Sequence, residues 1–322
     1  MHNKKAILII NSGTPDSPSE EDVKKYLNLF LSDKRVIHMA DIMWQPILQG
    51  VVLKKLTPMF AEKHKKIWMP EGAPLKVYTE AQRDNLAKLL PDYIVEYAMS
   101  YSKPMVKEAI LSLLDRGVQH LTILPLYPQY SGTTTGSIFD DVSSVFTKKD
   151  NIIDLRFISR FYKHEGYIDY FANKIKLALE EKQKSDEVVQ GILFSYQNIP
   201  QEYVDNGDSY ASECIHTTEL IMEKIKDTFK LESFTAYRHV SGHQRWMTPK
   251  TNETIKNLPK EGIKNLIVVA PGFVSDGVDT IPEMEGENKE CFLEAGGESF
   301  TYIHAMNKDM ELAHILVDVI KG

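Results

Sequence analysis

The chain has 322 residues, 43% hydrophobic and 26% charged, with a formal net charge of -7. That composition excludes a disordered chain, and the acidic balance gives no general attraction for nucleic acid. The two cysteines, Cys214 and Cys291, cannot supply a four-thiolate zinc site, a [2Fe-2S] cluster or a disulfide framework.

The apolar run Ala6 to Ile10 predicts a strand buried on both faces, and Asn11 to Pro18 predicts a loop. Ser19 is placed to cap a helix with the apolar face Val23, Tyr26, Leu27 and Phe30. Residues 36 to 69 are long, apolar and weakly periodic, with a helix expected over Pro58 to Trp68; they read either as core or as an exposed lip. An α/β alternation follows: helix Thr79 to Leu90, strand Tyr93 to Met99, helix Met105 to Arg116, strand His120 to Leu126, a loop to Ser137, a helix, and strand Leu155 to Ile158. The second half repeats it: helix Tyr167 to Glu181, strand Val188 to Ser195, helix Tyr210 to Thr228, strand Phe234 to Tyr237, helix Thr251 to Leu258, strand Asn265 to Ala270, then two helices around strand Phe300 to Ile303. The expected fold class is α/β, with two Rossmann-like domains, 1–163 and 164–322, parallel sheets flanked by helices, and the last helix returning to the first domain. No P-loop and no convincing dinucleotide fingerprint is present. The opening apolar run is too short for a secretory segment or a membrane span, so the chain reads as cytoplasmic.

Several segments resemble the ferrochelatase family, in family order from residue 11 to residue 297. They are Asn11-Ser12-Gly13-Thr14-Pro15-Asp16-Ser17-Pro18, the stretch Tyr26 to Arg35, the run Leu124 to Ser137 (LPLYPQYSGTTTGS), Pro271 to Asp276, and Phe292 to Gly297. The resemblance implies a chelatase-like fold with a tetrapyrrole cleft between two domains. It implies a metal chelatase (a lyase) of haem biosynthesis that inserts Fe2+ into a porphyrin and releases two protons. Fe2+ and porphyrin are then substrates, with no tightly bound cofactor and no iron-sulfur cluster. The expected partners are porphyrin or haem and Fe2+, with peripheral membrane contact left open, no nucleic acid, and a monomeric chain.

Two departures bear on the chemistry that the resemblance implies. Where the family carries Ser-Phe-His-Gly-Leu-Pro, this chain reads Ser195-Tyr196-Gln197-Asn198-Ile199-Pro200, so Gln197 stands at the histidine position. Gln has no proton that titrates near neutrality and is a weak Fe2+ ligand. Asp279 stands where the catalytic glutamate is expected, and Glu283 and Glu287 continue an acidic line at i, i+4 spacing. The expected catalytic set is Gln197, Asp279 and Glu283. The expected metal ligands are Gln197 and Asp279, with His239 or His243 as a substitute for the missing imidazole. The expected substrate-binding set is Ser12, Lys54, Lys55, Tyr127, Ser131, Thr134, Thr135 and Ser137, with the lysines toward propionates and the loop hydroxyls toward a carboxylate. Two functions remain open: Fe2+ insertion, or tetrapyrrole binding without catalysis.

Overall fold

The computed structural model describes residues 4–147, 149–240 and 244–322. In chain order these form β1 (Lys4–Asn11), α1 (Glu20–Leu31), α2 (Asp41–Ile47), α3 (Leu53–Ile67), α4 (Pro74–Leu89), β2 (Tyr93–Met99), α5 (Val106–Asp115), β3 (Val118–Pro125), α6 (Ser137–Phe146) and β4 (Asp154–Phe157). They continue through α7 (Glu165–Lys184), β5 (Gly191–Tyr196), α8 (Gln201–Asp205), α9 (Tyr210–Ile225), β6 (Glu232–Tyr237), α10 (Thr251–Asn257), β7 (Asn265–Val269), α11 (Asn288–Glu294), β8 (Ser299–Ile303) and α12 (Met310–Lys321). The chain divides into two compact units: Met1–Arg160 with Asn307–Gly322, and Phe161–Met306.

The first unit holds a four-stranded sheet in the order β2-β1-β3-β4, every pairing parallel. Six consecutive residues of β1, Ala6 to Asn11, are buried. Ala6, Leu8 and Ile10 lie in one core with Val106, Ile110 and Val142, so α5 and α6 pack on that face. A central parallel strand is covered on both sides, which is why it reads as a continuous apolar run and not as an alternation. α12 packs on α4, and Gln82 Nε2 of α4 donates to Asn307 O at 2.6 Å.

Three local features differ from the periodicity reading. The helix expected from Pro58 begins at Leu53 and follows α2 through a π-helical turn, Leu48–Val52, two residues after Pro46. A widened turn is a common way for a helix to absorb an interrupted hydrogen-bond ladder. One side of this segment is core, with Leu48, Leu53 and Ala61 packed against Val23 and Leu27. The other side is a lip: Ile42, Met43 and Val51 are 85%, 62% and 64% exposed. α4 begins at Pro74, at the helix start, where a missing N–H costs nothing. α7 runs to Lys184, and near its end the Lys182 ammonium is bound by Glu187 and Ser299, each at 3.0 Å.

The second unit repeats the topology, with a parallel sheet in the order β6-β5-β7-β8. β5 and β7 are buried at every residue. Leu193, Leu266, Val268, Met284 and Phe292 share its core. Gly262 closes the turn after α10 at φ +97°, a conformation that disfavours residues with a Cβ.

Candidate active site

In a parallel sheet with helical crossovers, the loops that leave the carboxyl ends of the strands gather along one edge. In the second unit β5 delivers Gln197 to that edge, β6 delivers Arg238, the segment after β7 delivers Asp276, Asp279 and Glu283, and β8 delivers His304. Glu283 lies in a second π-helical turn, Pro282–Glu287.

Arg238 is the centre of this edge. Its side chain is 9% exposed and binds three groups at once. Nε and Nη2 donate to the two carboxylate oxygens of Glu283, at 2.9 and 2.6 Å. Nη1 donates to Gln197 Oε1 at 2.6 Å and lies 2.8 Å from Asp279 Oδ1. Burial opposes the guanidinium charge, but Asp279 and Glu283 outweigh it and hold the group more firmly protonated than a free arginine. The carboxylates are unequal: the Glu283 side chain is 13% exposed and Asp279 46%. The backbone beneath is fixed by the buried Asn198, whose Nδ2 donates to Arg238 O at 2.8 Å and whose Oδ1 accepts from Met247 N at 3.0 Å.

A third carboxylate, Asp276, lies on the same segment after β7. Asp276 is fully buried and accepts four donors: Thr280 Oγ1 at 2.9 Å, Tyr302 Oη at 2.7 Å, His304 Nδ1 at 3.0 Å and Ala305 N at 3.1 Å. His304 Nε2 reaches Glu285 Oε1 at 3.0 Å. The bond to Asp276 raises the His304 pKa above 6.5; burial works against the rise, and the nearby Glu285 adds to it. Thr280 links Asp276 to Gly277 N, so this carboxylate pins the turn that carries Asp279.

In the first unit, Gly13 of the β1 loop has φ +103°, and a Cβ there would meet Ser102 Oγ at 2.5 Å; that oxygen accepts from Thr14 N at 3.1 Å. Asp33 accepts from Tyr101 Oη at 2.7 Å, from Arg35 N at 2.7 Å and from Ser137 Oγ. Arg35 makes a two-bond pair with Asp140, at 2.7 and 2.9 Å. Burial, with Asp33 and Asp140 adding, raises the Asp141 carboxyl to about 6.

The structure brings the expected catalytic residues Gln197, Asp279 and Glu283 together on one cation. It does not bring the substrate-binding set to a single surface. Ser131, Thr135 and Ser137 are buried; Ser131 caps Thr133 N, and Ser137 is held by Asp33 and Tyr101. Ser131 and Ser137 hold the loop and the π-helical turn Gly132–Gly136, which encloses Thr135. Ser12, Tyr127 and Thr134 are half-buried, and Lys54 and Lys55 are exposed at the start of α3. His239 is exposed, and His243 lies outside the described residues. Among the described residues no group of three or more His, Cys, Asp or Glu side chains is arranged to hold a metal.

Sequence reasoning gives a role to the histidines after β6 and none to Arg238 beside them. The available signal was a cation ending an apolar strand in the row of the Gln197 position. Asp276 and His304 were not singled out either, since a lone acid and a lone histidine carry no spacing signal.

The ferrochelatase family model matches residues 4–322. The chain belongs to the ferrochelatase family. It is 45% identical to the coproporphyrin III ferrochelatase of Enterococcus faecalis, over 98% of each chain. It is 38% identical to the ferrochelatase of Klebsiella pneumoniae, over 99% of this chain and 98% of that protein. Two solved structures share the fold at low identity. CbiX, the terminal enzyme of sirohaem biosynthesis in denitrifying bacteria, has a TM-score of 0.52 at 12% identity, covering 98% of each chain. SirB from Bacillus subtilis has a TM-score of 0.54 at 9% identity, covering 99% of this ferrochelatase-family chain and 94% of that one.

Proposed function

We propose that the protein inserts Fe2+ into a porphyrin, with coproporphyrin III as the preferred macrocycle and Asp279 as the group that receives pyrrole protons. Insertion replaces two pyrrole protons with one divalent ion, so the site must accept two protons and present the metal to the ring nitrogens. Metal insertion into a tetrapyrrole is the chemistry of the family to which the chain belongs. The choice of macrocycle is supported by the 45% identity to a coproporphyrin III ferrochelatase.

The observation that carries the assignment of Asp279 is the unequal exposure of the two carboxylates on Arg238. Glu283 is enclosed and bound by both forks of the guanidinium, so it holds Arg238 in place. Asp279 is half-exposed and touches Arg238 through one nitrogen, so it can exchange that contact for a proton. Gln197 cannot take a proton. With Oε1 bound to Arg238, its amide NH2 is left to donate, for example to an unprotonated ring nitrogen. We assign the protein to the cytoplasm as a monomer; no helix among the described residues is long and apolar enough to cross a membrane. Any peripheral membrane contact would use the lip at Ile42, Met43 and Val51. For the half-buried Ser12, Tyr127 and Thr134 and the exposed Lys54 and Lys55 the proposed role is contact with the macrocycle and its propionates.

The test is anaerobic Fe2+ insertion by folded protein into coproporphyrin III and protoporphyrin IX. The expected result is turnover above the spontaneous rate, faster with coproporphyrin III, and reduced about 100-fold or more in Asp279→Asn. Failure of the natural protein to exceed the spontaneous rate would sink the proposal. One observation favours a second reading, tetrapyrrole binding without insertion: a cation already sits on both carboxylates. Tight porphyrin or haem binding with no insertion would establish it.

A further inference from the structure

Two oxygens of the site converge on a single nitrogen. Gln197 Oε1 is 2.6 Å from Arg238 Nη1, and Asp279 Oδ1 is 2.8 Å from the same atom. They come from different strand ends, one following β5 and the other following β7. One neutral and one anionic oxygen around a positively charged centre form a place that a divalent cation can take, held weakly enough by the amide oxygen for the ion to be passed on. The rest of the guanidinium is anchored elsewhere, by Nε and Nη2 on Glu283.

We propose that Arg238 is a positioning residue whose Nη1 holds the place of the incoming metal, keeping Gln197 and Asp279 preformed and neutralised until a divalent ion displaces it. This deepens the chelatase reading and rests on it for the identity of the metal as substrate. The displacement is a ligand exchange with no redox step. Nη1 gives up its contacts to Gln197 Oε1 and Asp279 Oδ1, the metal takes up those two oxygens, and Arg238 keeps its charge and its two bonds to Glu283. The half-exposed Asp279 contact is the one that can open to solvent, while the enclosed Glu283 pair acts as the hinge.

Two features of the sequence follow from this. A histidine at position 197 would place an imidazole against the guanidinium, and it could accept from Nη1 only while neutral. A glutamine accepts through its carbonyl oxygen at every pH, so Gln197 and Arg238 form a matched pair. Asn198, the next residue, holds the Arg238 carbonyl and fixes where the guanidinium starts.

The experiment is a titration of the folded full-length protein with Co2+, without porphyrin, read by the visible absorption of bound cobalt and by calorimetry. Arg238→Gln is expected to bind Co2+ at least tenfold more tightly than the natural protein. Arg238→Lys, which keeps the charge but loses the fork, is expected to fall between the two. Adding Asp279→Asn to either variant is expected to abolish the gain. A merely structural role predicts the opposite, because damage lowers metal affinity. If Arg238→Gln does not fold, Arg238→Lys with and without Asp279→Asn decides the matter. Affinity in the folded variants equal to or weaker than in the natural protein overturns the proposal, as does a gain that survives Asp279→Asn. The insertion assay is run in parallel. A cobalt gain with no turnover by the natural protein overturns the chelatase reading and leaves the role of Arg238 standing, whereas turnover without the gain does the reverse.

Discussion

The two units share a strand order and differ in what they place at the carboxyl edge of the sheet. In the first, one carboxylate, Asp33, is surrounded by neutral donors: the Tyr101 and Ser137 hydroxyls and the Arg35 amide. In the second, one cation, Arg238, is surrounded by two carboxylates and a neutral carbonyl. The first arrangement is held by hydrogen bonds to groups that do not change charge near neutrality; burial and the Asp33 charge keep Tyr101 protonated. The second is held by charge and can exchange one cation for another. The same scaffold thus supports a fixed loop in one half and an exchangeable site in the other, because function resides in the loops and not in the sheet.

The sharpest way to break this comparison is to remove the charges one at a time. Glu283→Ala leaves the enclosed Arg238 without its two-bond partner and is expected to cost about 3–5 kcal/mol, the range for breaking a buried ion pair from one side. Asp279→Ala removes a half-exposed carboxylate and is expected to cost no more than about 1 kcal/mol. Urea unfolding of both variants checks the contrast. Equal costs would mean that the guanidinium is not anchored where the structure has it.

The corresponding change in the first unit is Asp33→Ala. It leaves the Tyr101 and Ser137 hydroxyls without their carboxylate acceptor, although the two remain 3.2 Å apart and can bond to each other. At about 1–3 kcal/mol for each buried group left unsatisfied, and with part of the loss recovered, the expected cost is about 2–4 kcal/mol. Asp140→Ala, which breaks the exposed pair with Arg35, is expected to cost less than about 1 kcal/mol. Denaturation midpoints in low and high salt separate the two, since only the Arg35–Asp140 contribution is screened.

Much of this architecture can be read from the chain. The apolar runs of β1, β5 and β7 are buried on both faces, so burial leaves a continuous pattern that needs no partner to interpret. The loop motifs carry the family resemblance because turn geometry demands particular residues, as Gly13 does. The acidic line at Asp279 and Glu283 was legible for the same reason, being local. Arg238 was not, because its role exists only once β5, β6 and β7 are aligned and residues 41 and 45 positions away meet it. The loop hydroxyls are the opposite case. Ser131, Thr135 and Ser137 looked like ligand contacts in a motif, yet the chain uses Ser131 and Ser137 to bond itself and encloses Thr135. Local pattern shows which side chains are special but not whether they face solvent or the fold.

The remaining expected effects depend on pH, and they distinguish the two edges by sign. Asp141 has its pKa raised from 3.8 to about 6, chiefly by burial, with Asp33 and Asp140 adding. A raised carboxyl is a cost that is absent below about pH 4, develops as the pH rises, and is complete above about 6. Asp141→Asn is therefore expected to stabilise the protein by about 1–2 kcal/mol at pH 7.5, the gain closing as the pH falls to 4. His304 has its pKa raised by its bond to Asp276, against the effect of burial. Its contribution is fully present below the unfolded value near 6.5 and is lost as the pH rises through the higher folded value. Because His304 is half-exposed, His304→Gln is expected to cost less than about 1 kcal/mol at pH 6 and less still at pH 8.5. Urea midpoints of the natural protein and both variants from pH 4 to 8.5 give the two curves. The Asn variant should part from the natural protein as the pH rises, and the Gln variant should converge with it. If both differences widened in the same direction, the carboxylate-centred edge and the histidine clamp would not be titrating as separate groups.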